Sequence, residues 1–193
     1  MTSSPVRAKR WTRLEYERLV CLGAFGPGDH IELVAGTLLV REPQNSPHIT
    51  AIRLAEEALR AAFGAGWDVR TQGPIALDEE SEPEPDVAVV SGSIRDYAAA
   101  HPSQPVLLVE VADSSLAYDR REKAGLYARA RVPEYWIVNL IDRAVEVHRD
   151  PRPDAGAAFG WRYTRVRRLS AEETVTPLGA PEARIPVADL LPW

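Results

Sequence analysis

Apolar positions change their spacing several times along the chain, and each change marks an element. Thr12-x-x-Glu15 ahead of an apolar run is a capping-box signature, which predicts a helix over about Thr12 to Leu22. Gly23, Gly26, Pro27 and Gly28 then read as a loop. Ile31–Val34 and Thr37–Val40 flank Ala35-Gly36 and predict a β-hairpin, which Pro43 and Asn45 break. Ser46-Pro47 reads as an N-cap and first-turn pair. The helix it opens carries Ile52, Ala55, Leu59 and Ala62 on one stripe and ends near Gly64. His48 lies four residues before Ile52 and extends that inward stripe.

Beyond this helix, Trp67 to Leu77 reads as a strand and Asp78 to Glu84 as an acidic loop. Asp86 to Val90 is a short apolar strand directly after Pro85, and Ser93 to Ala100 a surface helical turn. Pro105 to Val111 is strongly apolar, interrupted only by Glu110. Asp119 to Arg131 is helical until Val132-Pro133 stops it. Tyr135 to Leu140 is another buried strand, and Ile141-Asp142-Arg143 turns into Val145 to His148. The strand–helix–strand run from Val106 to Leu140 is a crossover unit, so its two strands should be parallel. After a loop from Pro151 to Gly160, Trp161 to Leu169 alternates as an edge strand. Ile185, Val187, Leu190 and Leu191 pack the remainder back. There are no repeats and no linker. The expectation is a flexible tail over residues 1–10 and one α/β domain over 11–193, a mixed sheet flanked by helices with an N-terminal helix and hairpin.

Composition sharpens this in three places. The chain has 193 residues, room for one core. Its single cysteine, Cys21, excludes an intrachain disulfide, and Leu19-Val20-Cys21-Leu22 suggests a small buried hydrophobe. No segment reaches the roughly 20 apolar residues of a membrane span, and no apolar signal core follows the basic start, so the expected location is cytoplasmic. The net charge of −5 speaks against a surface that wraps nucleic acid throughout, without excluding a local groove. Arg162, Arg165, Arg167 and Arg168, and Arg120, Arg121, Arg129 and Arg131, form two clusters that read either as such a groove or as solvated faces. Finally, the 23 basic residues include only two lysines, Lys9 and Lys123. Where arginine is used almost everywhere, Lys123 needs a reason to be lysine.

Three acids stand where acids are expensive. Glu110 sits inside Val106-Leu107-Leu108-Val109-Glu110-Val111, a run buried on both faces of a central strand. An unpaired carboxylate there would cost several kcal/mol or take up a proton, and a metal ion or cation would relieve it. Asp86 heads the strand fixed by Pro85; Glu32 interrupts Ile31 and Leu33. Each of these two reads equally as an ordinary strand residue. Lys123, Leu126, Tyr127 and Ala130 share one helical face, which should pack on the sheet and point Lys123 toward Glu110. Arg121, Glu122, Gly125 and Arg129 fall on the other side. A structural ion pair is the plain alternative.

Pro85-Asp86, Glu110 and Lys123, on strand, strand and following helix, resemble the PD-(D/E)XK nuclease superfamily. Within it the chain resembles the Uma2 family of restriction-endonuclease-like proteins over nearly its whole length. The pieces are Ile31-Glu32-Leu33-x-x-Gly36, Ser46-Pro47-His48, Glu84-Pro85-Asp86-Val87, Leu108-Val109-Glu110-Val111-x-x-Ser114, Lys123-x-x-x-Tyr127 and Val132-Pro133-Glu134-Tyr135-Trp136-Ile137-Val138. The lysine expected two residues after Glu110 is replaced by Ala112, and the resemblance implies that Lys123 takes its place. It also implies that Asp86, Glu110 and the main-chain carbonyl of Val111 hold one or two Mg²⁺ ions, with Mn²⁺ as substitute. Lys123 would act on the attacking water or the phosphate, Glu32 would help with a second metal, and His48 would touch a phosphate or hydrogen-bond in the core. The implied partner is nucleic acid, expected to be DNA, and a homodimer would supply the recognition surface that this short chain lacks.

Two alternatives stand beside this reading. One is a nuclease-fold module that binds nucleic acid or protein without turnover, favoured by the missing lysine and the acidic charge. The other is a metal-free triad of Ser114, His48 and an acid, which lacks a nucleophile elbow.

Overall fold

The structure, a computed structural model, describes residues 7–26, 28–41 and 43–193. Of the expected tail, residues 1–6 lie outside it, while Lys9 pairs with Glu15 and Arg10 with Glu80. In the loop after the first helix, Pro27 also lies outside.

Helix α1 (Arg13–Cys21) starts at the expected capping box, Thr12 with Glu15. Only Tyr16 is buried on it, its hydroxyl donating to the Ile31 carbonyl at 2.6 Å. Cys21 is therefore exposed, not buried as its apolar neighbours suggested; the helix docks through its N-terminal half. Strands β1 (Ile31–Val34) and β2 (Thr37–Val40) form the expected antiparallel hairpin. Its two-residue turn places Ala35 and Gly36 at φ 46° and 77°, the left-handed pair that matches strand twist. The acidic segment before Asp86 is not a free loop: Glu82 exchanges backbone hydrogen bonds with Leu33 and so pins β1.

Helix α2 (Ser46–Phe63) is capped by Asn45, not Ser46; the Asn45 side chain accepts from His48 N, and Ser46 and Pro47 form the first turn. Strand β3 (Trp67–Thr71) stops six residues short of expectation. Gln72 turns left-handed at φ 49° and Pro74 has no donor to continue a ladder. Then come β4 (Val87–Ser91), a one-turn 3₁₀ segment (Ile94–Tyr97), and β5 (Leu107–Ala112). Helix α3 (Leu116–Tyr118) passes through a π-helical segment (Asp119–Lys123) into α4 (Ala124–Arg129). Strands β6 (Glu134–Asn139), β7 (Ala144–Pro153) and β8 (Trp161–Ser170) follow. Strand β7 is longer than expected, running into what had read as loop. A small pair, β9 (Thr174–Val175) with β10 (Ile185–Pro186), leads to a C-terminal turn.

Six strands form one mixed sheet in the order β3-β4-β5-β6-β7-β8. Only β5 and β6 are parallel, as the crossover required. Helix α2 covers one face, where Ile52, Ala55 and Leu59 meet Val87, Val89, Leu107, Val109 and Trp136. Helix α4 covers the other, where Leu126 and Tyr127 meet Ala88, Leu108, Tyr135 and Ile137. Glu110 lies on the central strand β5, every residue of which is buried, and on the α4 side. The face of α4 that looked outward is partly covered as well: Gly125 is buried against Ala158.

Candidate active site

The polar residues singled out along the chain meet at one end of the sheet. Glu32 arrives from β1, Asp86 from the start of β4, Glu110 from β5, and Lys123 from the π-helical segment. All four are buried. Asp86 and Glu110 stand side by side on neighbouring strands. Glu110 Oε2 accepts from Asp86 N at 3.3 Å, and Asp86 Oδ2 accepts from Val111 N at 2.8 Å. Lys123 Nζ donates to Glu32 Oε2 at 2.7 Å and lies 3.3 Å from Glu110 Oε1. The Tyr127 hydroxyl donates to the same Glu110 oxygen at 2.5 Å. Glu32 Oε2 also accepts from Glu84 N at 3.1 Å, which ties the hairpin to the strand of Asp86.

His48 faces this cluster from the first turn of α2. Its Nε2 lies 3.4 Å from Asp86 Oδ2, an ion-pair separation with no hydrogen bond closed. Ser114, the nucleophile of the metal-free alternative, spends its hydroxyl on Asp113 at 3.1 Å.

Three residues of the cluster carried no role in the sequence reading. Arg41, at the end of the hairpin, donates to Asp86 Oδ1 at 2.7 Å and to the Glu84 carbonyl at 2.6 Å. Gln44 donates to the same Asp86 oxygen at 3.2 Å. Asp119, buried, accepts from Ser115 Oγ at 2.6 Å. Asp119 was legible in principle: it lies four residues before Lys123, on the same helical face. Arg41 and Gln44 sit in a connection without periodicity, and only the folded chain brings them to Asp86.

Glu32, Arg41, Gln44, His48, Asp86, Glu110, Asp119 and Lys123 line a cavity of about 490 Å³, together with Asn45, Tyr118 and Asp113. Burial alone would raise every carboxylate in it. Glu110 follows that rule: burial holds its carboxyl above the usual glutamate range although Lys123 pulls the other way. Burial and the nearby charge of Glu110 push Asp119 up to about 7. Asp86 goes the other way, because His48 and Arg41 outweigh its burial. Burial pulls Lys123 down, yet Glu110 and Glu32 more than offset it, so the ammonium is held charged above its usual range. His48 is likewise raised, Asp86 outweighing its burial.

Among the described residues, no three His, Cys, Asp or Glu side chains already stand as a ligand cluster. The donor set nevertheless fits a hard divalent ion. Five acids (Glu32, Asp86, Glu110, Asp113 and Asp119) line the cavity against two permanent cations, Arg41 and Lys123. Mg²⁺ characteristically takes one or two carboxylates, keeps several waters and adds substrate oxygens. Asp86 and Glu110 would be that pair. Most arginines of the two clusters are drawn into ion pairs with acids. Arg120 pairs with Glu146, Arg129 with Asp78, Arg162 with Asp154, Arg167 with Glu173 and Arg168 with Asp142.

Comparison with known proteins bears on the family and the fold. The Uma2 family model, described as "Putative restriction endonuclease", matches residues 14–188. Among curated proteins none matches. A crystal structure from Anabaena variabilis ATCC 29413, described as a "putative nuclease belonging to DUF820", is similar with a TM-score of 0.62. At 12% identity, over 83% of this chain and 88% of that one, the likeness is one of fold. No helix among the described residues is long and apolar enough to cross a membrane.

Proposed function

This chain belongs to the Uma2 family, and from that premise we propose that it is a divalent-metal-dependent endonuclease acting on phosphodiester bonds of nucleic acid, with DNA as substrate. The observation that carries the reading is Glu110: an acid on a fully buried central strand, sharing one cavity with Asp86 and with a lysine in a chain that otherwise uses arginine.

Asp86, Glu110 and the main-chain carbonyl of Val111 would hold Mg²⁺ or Mn²⁺. Such an ion polarises a phosphodiester and lowers the pKa of a bound water. The residues of the chain do the rest. Tyr127 fixes the rotamer of Glu110 through its hydroxyl. Glu32 anchors Lys123 beside Glu110, so a compact charge stands where an attacking water and a phosphate oxygen would be held. His48, raised toward its charged form, would meet a phosphate oxygen at the α2 end of the cavity. A homodimer would extend the contact surface for a duplex.

A second reading has one observation behind it. Ala112 occupies the position of the superfamily's near-strand lysine and is wholly buried and apolar, as a nuclease-fold binding module without turnover would allow.

Cleavage of plasmid and single-stranded DNA in Mn²⁺ separates the two. Wild type should cut. Glu110→Gln should fold, show no calorimetric Mn²⁺ binding and not cut. Lys123→Arg should fold and bind Mn²⁺ but lose roughly a hundredfold in rate, the scale of losing one preorganised charge contact. The broad guanidinium keeps the charge and displaces the water. Equal cutting by Lys123→Arg would reduce Lys123 to a counter-charge. No cutting by wild type on either substrate would leave the binding module.

A further inference from the structure

Asp86 is an awkward metal ligand as it stands, because both of its oxygens are occupied. Oδ2 accepts from Val111 N and faces His48. Oδ1 accepts from Arg41 and Gln44, and both of those side chains come from the single connection between β2 and α2. Gln44 is itself steadied by Gln72 Nε2, which donates to its Oε1 at 2.8 Å. Arg41 differs from the other permanent cation of the cavity. Lys123 is sealed between Glu32 and Glu110, with 4% of its side chain exposed, whereas Arg41 keeps 19% exposed. Of the two cations lining the cavity it is the more exposed.

We propose that Arg41 is an exchangeable phosphate anchor: it holds Asp86 Oδ1 while no divalent ion is present, gives up that oxygen when the ion binds, and then holds a phosphate oxygen of the substrate. The proposal rests on the metal-dependent reading above. Its physical basis is charge conservation within a buried site. Asp86 cannot stand uncompensated in the interior. At Oδ1 its charge is met either by the guanidinium or by the ion, and the two compete for this oxygen. Once freed, a planar guanidinium suits two phosphate oxygens better than a lysine would. Phosphate, in turn, supplies the negative charge that the guanidinium gave up. Ion and substrate thereby favour each other through one side chain, a coupling that acts in both directions.

The test is calorimetric Mn²⁺ titration of wild type, Arg41→Gln and Arg41→Lys, followed by steady-state cleavage of an oligonucleotide duplex in saturating Mn²⁺. Arg41→Gln should bind Mn²⁺ roughly tenfold more tightly and raise KM by roughly tenfold, with kcat changed little. Arg41→Lys keeps the charge but cannot reach Asp86 and the Glu84 carbonyl together. It too should bind Mn²⁺ more tightly than wild type. If Arg41→Lys matches wild type while Arg41→Gln is tighter, plain charge repulsion explains the gain and the exchange is wrong. Equal Mn²⁺ affinity in all three proteins overturns the exchange while leaving the metal site intact. Tighter Mn²⁺ binding with an unchanged KM overturns the phosphate anchor. Absence of Mn²⁺ binding in every protein removes the metal-dependent reading itself, and the exchange with it.

Discussion

At the scale of single residues, the cluster shows how the same burial produces opposite charge states. Asp86 keeps its charge because Arg41 and His48 stand against it. Asp119 forms no ion pair among the described residues, and burial and Glu110 push it up to about 7 although Lys123 pulls the other way. That difference has a measurable sign. A carboxyl raised in the folded state binds its proton more tightly there than in the unfolded chain. The stability it contributes is full below its ordinary value near 3.8 and is lost as pH rises through about 7. Asparagine mimics the protonated form at every pH. In metal-free protein, Asp119→Asn should therefore come closest to wild type in urea unfolding at about pH 4 and gain on it as pH rises toward about 7. At about pH 8 it should be more stable by at least about 1 kcal/mol, given roughly 1.4 kcal/mol per pH unit. An advantage that is the same at both pH values would mean that Asp119 does not titrate in that window. The reasons for Glu110 and Lys123 could be read from the chain: an acid inside an apolar strand, and a lysine among arginines. Arg41 could not, because an arginine in a short polar connection has no pattern to stand out from.

Among the elements, the passage from α3 through π-helical turns into α4 carries both Asp119 and Lys123, four residues apart and buried together. Such π segments recur at functional sites. The next turn is then held by contact on its far side. A Cβ on Gly125 would lie 2.5 Å from the Ala158 carbonyl oxygen and 2.9 Å from the Ala158 side chain. On helix propensity alone, Gly125→Ala would stabilise by up to about 1 kcal/mol. The clash with main chain reverses the sign. The variant should be destabilised by about 1–3 kcal/mol, the range for overfilling a packed contact, as read by chemical denaturation. A stabilised variant would show that the segment around Ala158 gives way freely.

For the molecule as a whole, the sheet brings together acids that repel one another unless a cation intervenes. Ion binding should therefore feed directly into global stability. Mn²⁺ at about 100 times its Kd should add about 2.7 kcal/mol. For a chain of 193 residues this corresponds to a rise of roughly 5–10 °C in Tm. Glu110→Gln should show no such rise and should be at least as stable as wild type without the ion, since one of the clustered charges is gone. A thermal melt with and without Mn²⁺ reads both. An equal shift in both proteins would place the ion elsewhere.

The sequence by itself determined the local structure. The capping box at Thr12, the hairpin turn at Ala35-Gly36, the apolar runs of the central strands and the crossover that makes β5 and β6 parallel all follow from spacing and turn chemistry, which act between residues near in sequence. It also singled out Glu110, because burial of an acid shows within a single strand. Where strands stop was less legible: β3 ends at a left-handed Gln72, a conformation that residue type alone does not dictate. Cys21 was misplaced for a related reason, since an apolar run does not say how much of a helix finds a partner. Only the tertiary structure decided which cation meets which acid. Glu32 takes Lys123 from 91 residues away, and Asp86 takes Arg41 from 45. Such pairings depend on the stacking of the hairpin over the sheet end, and charge acts through space, with no periodicity along the chain to announce it.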